Sequence, residues 1–177
     1  MTAQRYTIPA MALHWAQAIL VLWLLWLGWT MTDLPKGAER SAAYSLHKSL
    51  GLLMLLVVVI RLAWRHRHPA PPLAANGWEG KLAHAVHIAL YSFMVLAPLA
   101  GYLTSSFTPY ALKFFGLEIP KLGWPDKSLN GFFNLSHLTI VWCGAGLIGL
   151  HLAGAFKHLI KRDGTMLRML PGGAFRN

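Results

Sequence analysis

Four long apolar stretches, separated by polar segments, run along this chain at approximately Met11–Thr32, His47–Trp64, His87–Ser105 and His137–Ile160. Crossing a bilayer takes about 20 residues of helix, and each stretch is of that order. The pattern predicts an all-α protein, a four-helix transmembrane bundle occupying residues 1–177 as one domain. Arg5 precedes the first stretch, as it would in a signal peptide. The stretch exceeds a typical apolar signal core, so the expectation is a retained helix.

Basic residues orient the bundle. With a cytoplasmic N-terminus, the inner side holds Arg5, Arg61, Arg65, Arg67, Lys81, Lys157, Lys161, Arg162, Arg168 and Arg176. The outer side holds Lys36, Arg40, Lys48, Lys113, Lys121 and Lys127. That is ten against six of the 16 Lys and Arg, which predicts both termini inside. The inner loop, roughly Arg65–Val86, carries Pro69, Pro71 and Pro72 and is expected to start extended. The outer loop, Ser106 to Ser136, has apolar patches at Tyr110–Phe115 and Phe132–Phe133, predicting surface-lying segments that cap the bundle.

Composition agrees with a membrane chain. Only 12% of residues are charged, against about 25% in soluble domains. A net charge of +10 raises the question of nucleic acid, but the cations cluster at the ends of apolar stretches rather than along a soluble face. One cysteine, Cys143, permits neither an internal disulfide nor covalent haem attachment through a Cys-x-x-Cys-His motif.

The candidate chemistry lies in the histidines. His137 and His151 are fourteen residues apart on one stretch, so they share a helix face at depths about 21 Å apart. In an antiparallel bundle, His47 meets His137 at the outer level and His14 meets His151 at the inner level. Ionisable side chains inside a bilayer are costly and usually functional. Two levels of paired imidazoles predict two b haems, each held by two histidines without covalent bonds.

Gly28 lies fourteen residues after His14, and Gly51 one turn after His47, where close backbone approach would admit a flat group. Gly144 lies midway between His137 and His151. Ordinary helix packing also explains each glycine singly. Arg61, fourteen residues after His47, either pairs with a haem propionate or snorkels to the inner surface. His158 is a rival inner ligand, but it is better placed to serve a quinone headgroup at the inner surface, a role open also to His84 and His87. Zinc is disfavoured, because the intramembrane histidines lack Cys, Asp or Glu partners. The six Asp and Glu fall outside the stretches, which argues against a transporter built on buried carboxylates.

Ala12-Leu13-His14-Trp15, Leu46-His47-Lys48-Ser49-Leu50-Gly51, Arg61-Leu62-Ala63-Trp64-Arg65 and His84-Ala85-Val86-His87 resemble the prokaryotic cytochrome b561 family. Phe115-Gly116-Leu117-Glu118-Ile119-Pro120 and Asp163–Leu170 fit it too, so the resemblance spans nearly the whole chain. It implies a four-helix protein of the bacterial inner membrane, with two b haems on His14, His47, His137 and His151 and a quinone site. One activity in the family is oxidation of superoxide outside the membrane, with electrons passed to ubiquinone near the inner side. On that reading Lys48, with the outer-loop cations, draws superoxide in, and His158 or His84 supplies protons to the quinone. The alternatives are a quinol-linked electron carrier for another redox protein and, in a different class, a haem-free scaffold or transporter.

Overall fold

The computed structural model describes residues 5–69, 71 and 77–170. Pro72 of the inner loop and Arg176 of the inner charge set lie outside the described residues. Four helices dominate: α1 (Ile8–Asp33), α2 (Ala38–Arg67), α3 (Gly77–Ser106) and α4 (Lys127–Lys161). All four are long and apolar enough to cross a membrane. Each runs past the apolar stretch that predicts it, because polar residues continue a helix readily where caps satisfy its ends. Asp126 shows this at the start of α4. Its carboxylate accepts from Ser128 N at 2.9 Å and from Leu129 N at 3.0 Å, binding two of the orphan donors of the first turn. Phe132 and Phe133 therefore lie on α4 rather than on a surface segment of the loop.

The helices are antiparallel in sequence order, with α1 packed on α2, α2 on α3 and α3 on α4. No comparably close approach joins α4 to α1 or to α2. The gap along α4 is the main feature of the bundle, since the core is otherwise sparse. Many of the large apolar side chains are exposed, including Trp23 and Trp26. An outward apolar surface is the expected arrangement where lipid is the solvent.

A short hairpin closes one end of the bundle, hereafter the hairpin end. Strand β1 (Lys113–Phe114) pairs antiparallel with β2 (Leu117–Glu118), Lys113 opposite Glu118. Its two turn residues, Phe115 and Gly116, have φ of +47° and +92°, the left-handed pair that a tight two-residue turn requires. Phe115 is costly there, and a hydrogen bond from its N–H to the buried Ser49 Oγ at 2.9 Å holds it. The opposite, terminal end gathers both ends of the described chain. Arg5 donates to Leu167 O at 3.2 Å and to Leu170 O at 2.7 Å, and Trp15 Nε1 donates to Met169 O at 2.9 Å. Lys157 of α4 and Glu79 of α3 form an ion pair at 2.9 Å on the same end.

Gly144 serves the α3–α4 contact. A Cβ built there would overlap the ring of Phe93, so Gly144 admits an α3 side chain rather than opening the gap along α4. Gly144→Leu should therefore cost about 1–3 kcal/mol through overpacking. A fall in the midpoint of thermal unfolding of the purified protein, absent in Gly146→Leu, checks this; a Cβ at Gly146 meets nothing within 4 Å.

Candidate functional site

The four spaced histidines converge in two pairs across the loosely packed side of α4. At the hairpin end, the rings of His47 (α2) and His137 (α4) have centres 6.3 Å apart, with planes at 88°. Toward the terminal end, His14 (α1) and His151 (α4) stand 6.3 Å apart at 74°. This separation has a chemical meaning. Two imidazoles on opposite sides of one metal, each bound at about 2 Å with its ring centre about 1.1 Å behind the nitrogen, stand roughly 6.3 Å apart. The pairs also bridge the helix boundaries that lack close packing, α2–α4 and α1–α4. The residues thus fit a haem iron that each pair of histidines would hold between them, on the side of α4 that does not pack closely on α1 or α2. Among the described residues no three His, Cys, Asp or Glu side chains cluster as a compact metal site.

Local sequence explains the ring positions at the hairpin end. A Cβ on Gly28 of α1 would lie 3.0 Å from His47 Cε1, tighter than ordinary contact, so a side chain there would push the ring or the helix back by a few tenths of an ångström. Gly101 of α3 does the same for His137, with a Cβ distance of 3.3 Å to Cε1. One turn earlier, Ala97 O accepts from His137 Nδ1 at 2.8 Å. That bond fixes the ring's tautomer and leaves Nε2 for a ligand. His47 Nδ1 is buried without a hydrogen-bond partner among the described residues. Gly51 has nothing within 4 Å of a built Cβ, so it borders open space.

The pair toward the terminal end has a different surround. Arg61 turns inward, donating from Nη1 to Gln17 Oε1 at 2.6 Å and approaching His14 Nδ1 with Nη2 at 3.0 Å. Its guanidinium also lies 5.2 Å from the centre of the Tyr91 ring. Gln17 is fully buried, and its Nε2 has no partner among the described residues. Periodicity of apolar residues passes over Gln17; the signal was its isolation as an amide in an apolar helix, three residues after His14. His87 adds a third imidazole, 5.6 Å from His151. His84, one turn before it, is exposed.

His158 lies in the last turn of α4, with Nδ1 at 2.5 Å from Asp163 Oδ2. Burial pushes the Asp163 carboxyl up, but hydrogen bonds from His158 and from Thr165 outweigh this and hold it at about 2. The sign follows from linkage: a depressed carboxyl favours the fold above its unfolded value, and that contribution disappears as pH falls toward 2. Asp163 therefore remains an ionised anchor for His158 at every physiological pH. At the other end, Lys113 lies 3.9 Å from Glu118 and Lys121 donates to Thr108 O at 2.7 Å, whereas Lys48 has no hydrogen-bond or ion-pair partner among the described residues.

Four membrane-length helices with imidazoles paired across an open seam define the class: a multi-pass membrane electron-transfer protein. Residues 5–172 match the family described as prokaryotic cytochrome b561. The chain is 33% identical over 174 residues to cytochrome b561 homolog 2 of Escherichia coli (strain K12), covering 96% of this chain and 93% of that one. It is 28% identical to the probable superoxide oxidase CybB of Yersinia pestis, covering 95% of this chain and 97% of that one. Cytochrome b561 homolog 1 of Escherichia coli is likewise 28% identical, over 178 residues. The chain belongs to the prokaryotic cytochrome b561 family, whose members bind b-type haem.

Proposed function

We propose that the chain binds two b haems and passes electrons from superoxide at the hairpin end to ubiquinone at the terminal end. The observation that carries this reading is the repeat of one imidazole separation, 6.3 Å, at two depths of one bundle. His14 and His151 hold one haem, His47 and His137 the other. Gly28 and Gly51 keep space beside the hairpin-end group, and Arg61 lies against the second site. Each bound group supplies reversible one-electron redox chemistry.

The terminal end is the cytoplasmic side of the inner membrane in this reading, as the basic residues suggest. Lys48, with its ammonium unpaired, attracts the superoxide anion. Each superoxide gives up one electron and leaves as dioxygen. A quinone takes two electrons and two protons to become quinol. His158, held by Asp163, presents Nε2 toward such a headgroup, and His84 and His87 lie on the same end to pass protons. The superoxide reading also draws on the likeness to the Yersinia pestis protein.

The test is stopped-flow spectroscopy of the purified holoprotein. Generated superoxide should reduce the haems within the mixing experiment, and added ubiquinone should reoxidise them. His158→Ala should slow the second step and spare the first. Reduction no faster than that of a haem-blocked control would leave a quinol-linked electron carrier serving another redox partner.

A further inference from the structure

The two histidine pairs match in separation and differ in what stands behind their rings. His137 Nδ1 meets an acceptor, Ala97 O at 2.8 Å. Donation to a carbonyl raises the basicity of a ligating imidazole, and a more basic ligand favours the oxidised metal. His14 Nδ1 meets the opposite, the Arg61 guanidinium at 3.0 Å. A guanidinium has only donors and does not lose its charge. With Nε2 given to a metal, His14 Nδ1 would carry its own proton and offer Arg61 no lone pair, so what the guanidinium supplies at this site is a full positive charge beside the ring.

Nothing among the described residues cancels that charge. Among the described residues no carboxylate pairs with Arg61; its partners are Gln17 Oε1, the His14 ring and the Tyr91 face. Gln17 fixes the arrangement. It is 1% exposed and grips Nη1 at 2.6 Å, so Arg61 cannot swing to the surface without leaving both polar ends of a buried amide unsatisfied. Lys48 also brings a positive charge near the other pair, but among the described residues it makes no hydrogen bond to the His47 ring. It follows His47 directly, so its side chain leaves the helix about 100° away from the His47 direction.

We propose that Arg61, braced by Gln17, holds the reduction potential at the His14–His151 site above that at the His47–His137 site, and so sets the inward direction of electron flow. The inference rests on the two-haem reading above. Each transfer moves one electron from the hairpin-end site, which is oxidised by one, to the terminal-end site, which is reduced by one. No bond forms or breaks, and no proton moves. Gln17 is a positioning residue in this scheme, acting only through Arg61.

Potentiometric titration of the purified holoprotein, followed by haem absorbance, tests it. The wild type should show two one-electron waves. Arg61→Gln should lower the upper wave by at least a tenfold change in the oxidised-to-reduced ratio, 59 mV for one electron, and leave the lower wave in place. Arg61→Lys should restore most of the difference. An upper wave unmoved in Arg61→Gln with both haems retained overturns the proposal, since a carboxylate arm of the bound group would then be cancelling the charge. Movement of the lower wave alone overturns it as well. Should Arg61→Gln not yield a two-haem protein, Gln17→Leu decides: a lowered upper wave supports the proposal and an unchanged one overturns it. A wild type with one haem per chain defeats the two-haem reading itself, and haem content shows this before any variant is made.

Discussion

On the proposed two-haem assignment, His137→Ala should yield a protein with one haem per chain in place of two. The remaining haem should keep its six-coordinate, low-spin spectrum, because His14 and His151 are untouched. His47→Ala should give the same product, and His14→Ala or His151→Ala the complementary one. Loss rather than weakening is expected. A single imidazole leaves an open iron position, and a non-covalent haem has no other bond to the chain. Pyridine haemochrome assay against protein concentration gives the count, and the spectrum of the reduced protein shows which haem survives.

The terminal-end pair makes the sharper test, because His87 also stands near His151. Its centre-to-centre distance of 5.6 Å from His151 is short of the roughly 6.3 Å at which two imidazoles would hold one metal between them, whereas His14 meets that distance at 6.3 Å. His87→Ala should therefore retain both haems. If His87→Ala lost one and His14→Ala kept both, the ligand on α3 would replace that on α1. His158, anchored to Asp163, should likewise be dispensable for haem content.

Why were these pairs legible in the sequence? Depth and face follow from helical rise and period, and an apolar stretch fixes the helix. His137 and His151 thus define two levels, and antiparallel order brings His47 and His14 to them. The structure delivers both pairings. Periodicity does not say which neighbour stands behind a ring, because that depends on how helices cross. Gly101 illustrates this. It lies on α3, far in sequence from any ligand, and only the α3–α4 packing sets it against His137. Gly144 is the reverse case. It shares the ligands' helix, but packing gives its space to Phe93. Gln17 and Ser49 were missed for a related reason. Each is a lone polar residue whose role appears only with a partner from another element, Arg61 for one and the hairpin turn at Phe115 for the other. The hairpin itself hid in the loop because its strands are two residues long, below any alternation a sequence can display.

The second large effect concerns the approach of the substrate anion. Superoxide reduction of the haems should be fastest at low ionic strength and slow as salt rises. An attraction between an anion and a charged mouth is screened within about 10 Å at 0.1 M salt. Lys48 should account for much of it. Lys113 faces Glu118 across the hairpin and Lys121 is bound to a backbone carbonyl, so both are partly committed. Lys48 is next to His47, half-buried and without a partner among the described residues. Its charge is therefore less screened by water than that of an exposed loop lysine. Lys48→Ala should slow the superoxide step about tenfold at low salt, at the lower end of the range for electrostatic steering, and should flatten the salt dependence. Lys121→Ala should change the rate much less. The quinone step should be unaffected by either, because the proposed function puts it at the other end of the bundle. Stopped-flow traces at several salt concentrations separate the two steps. A Lys48→Ala protein with wild-type rates and an unchanged salt slope would place the anion's route elsewhere on the hairpin end.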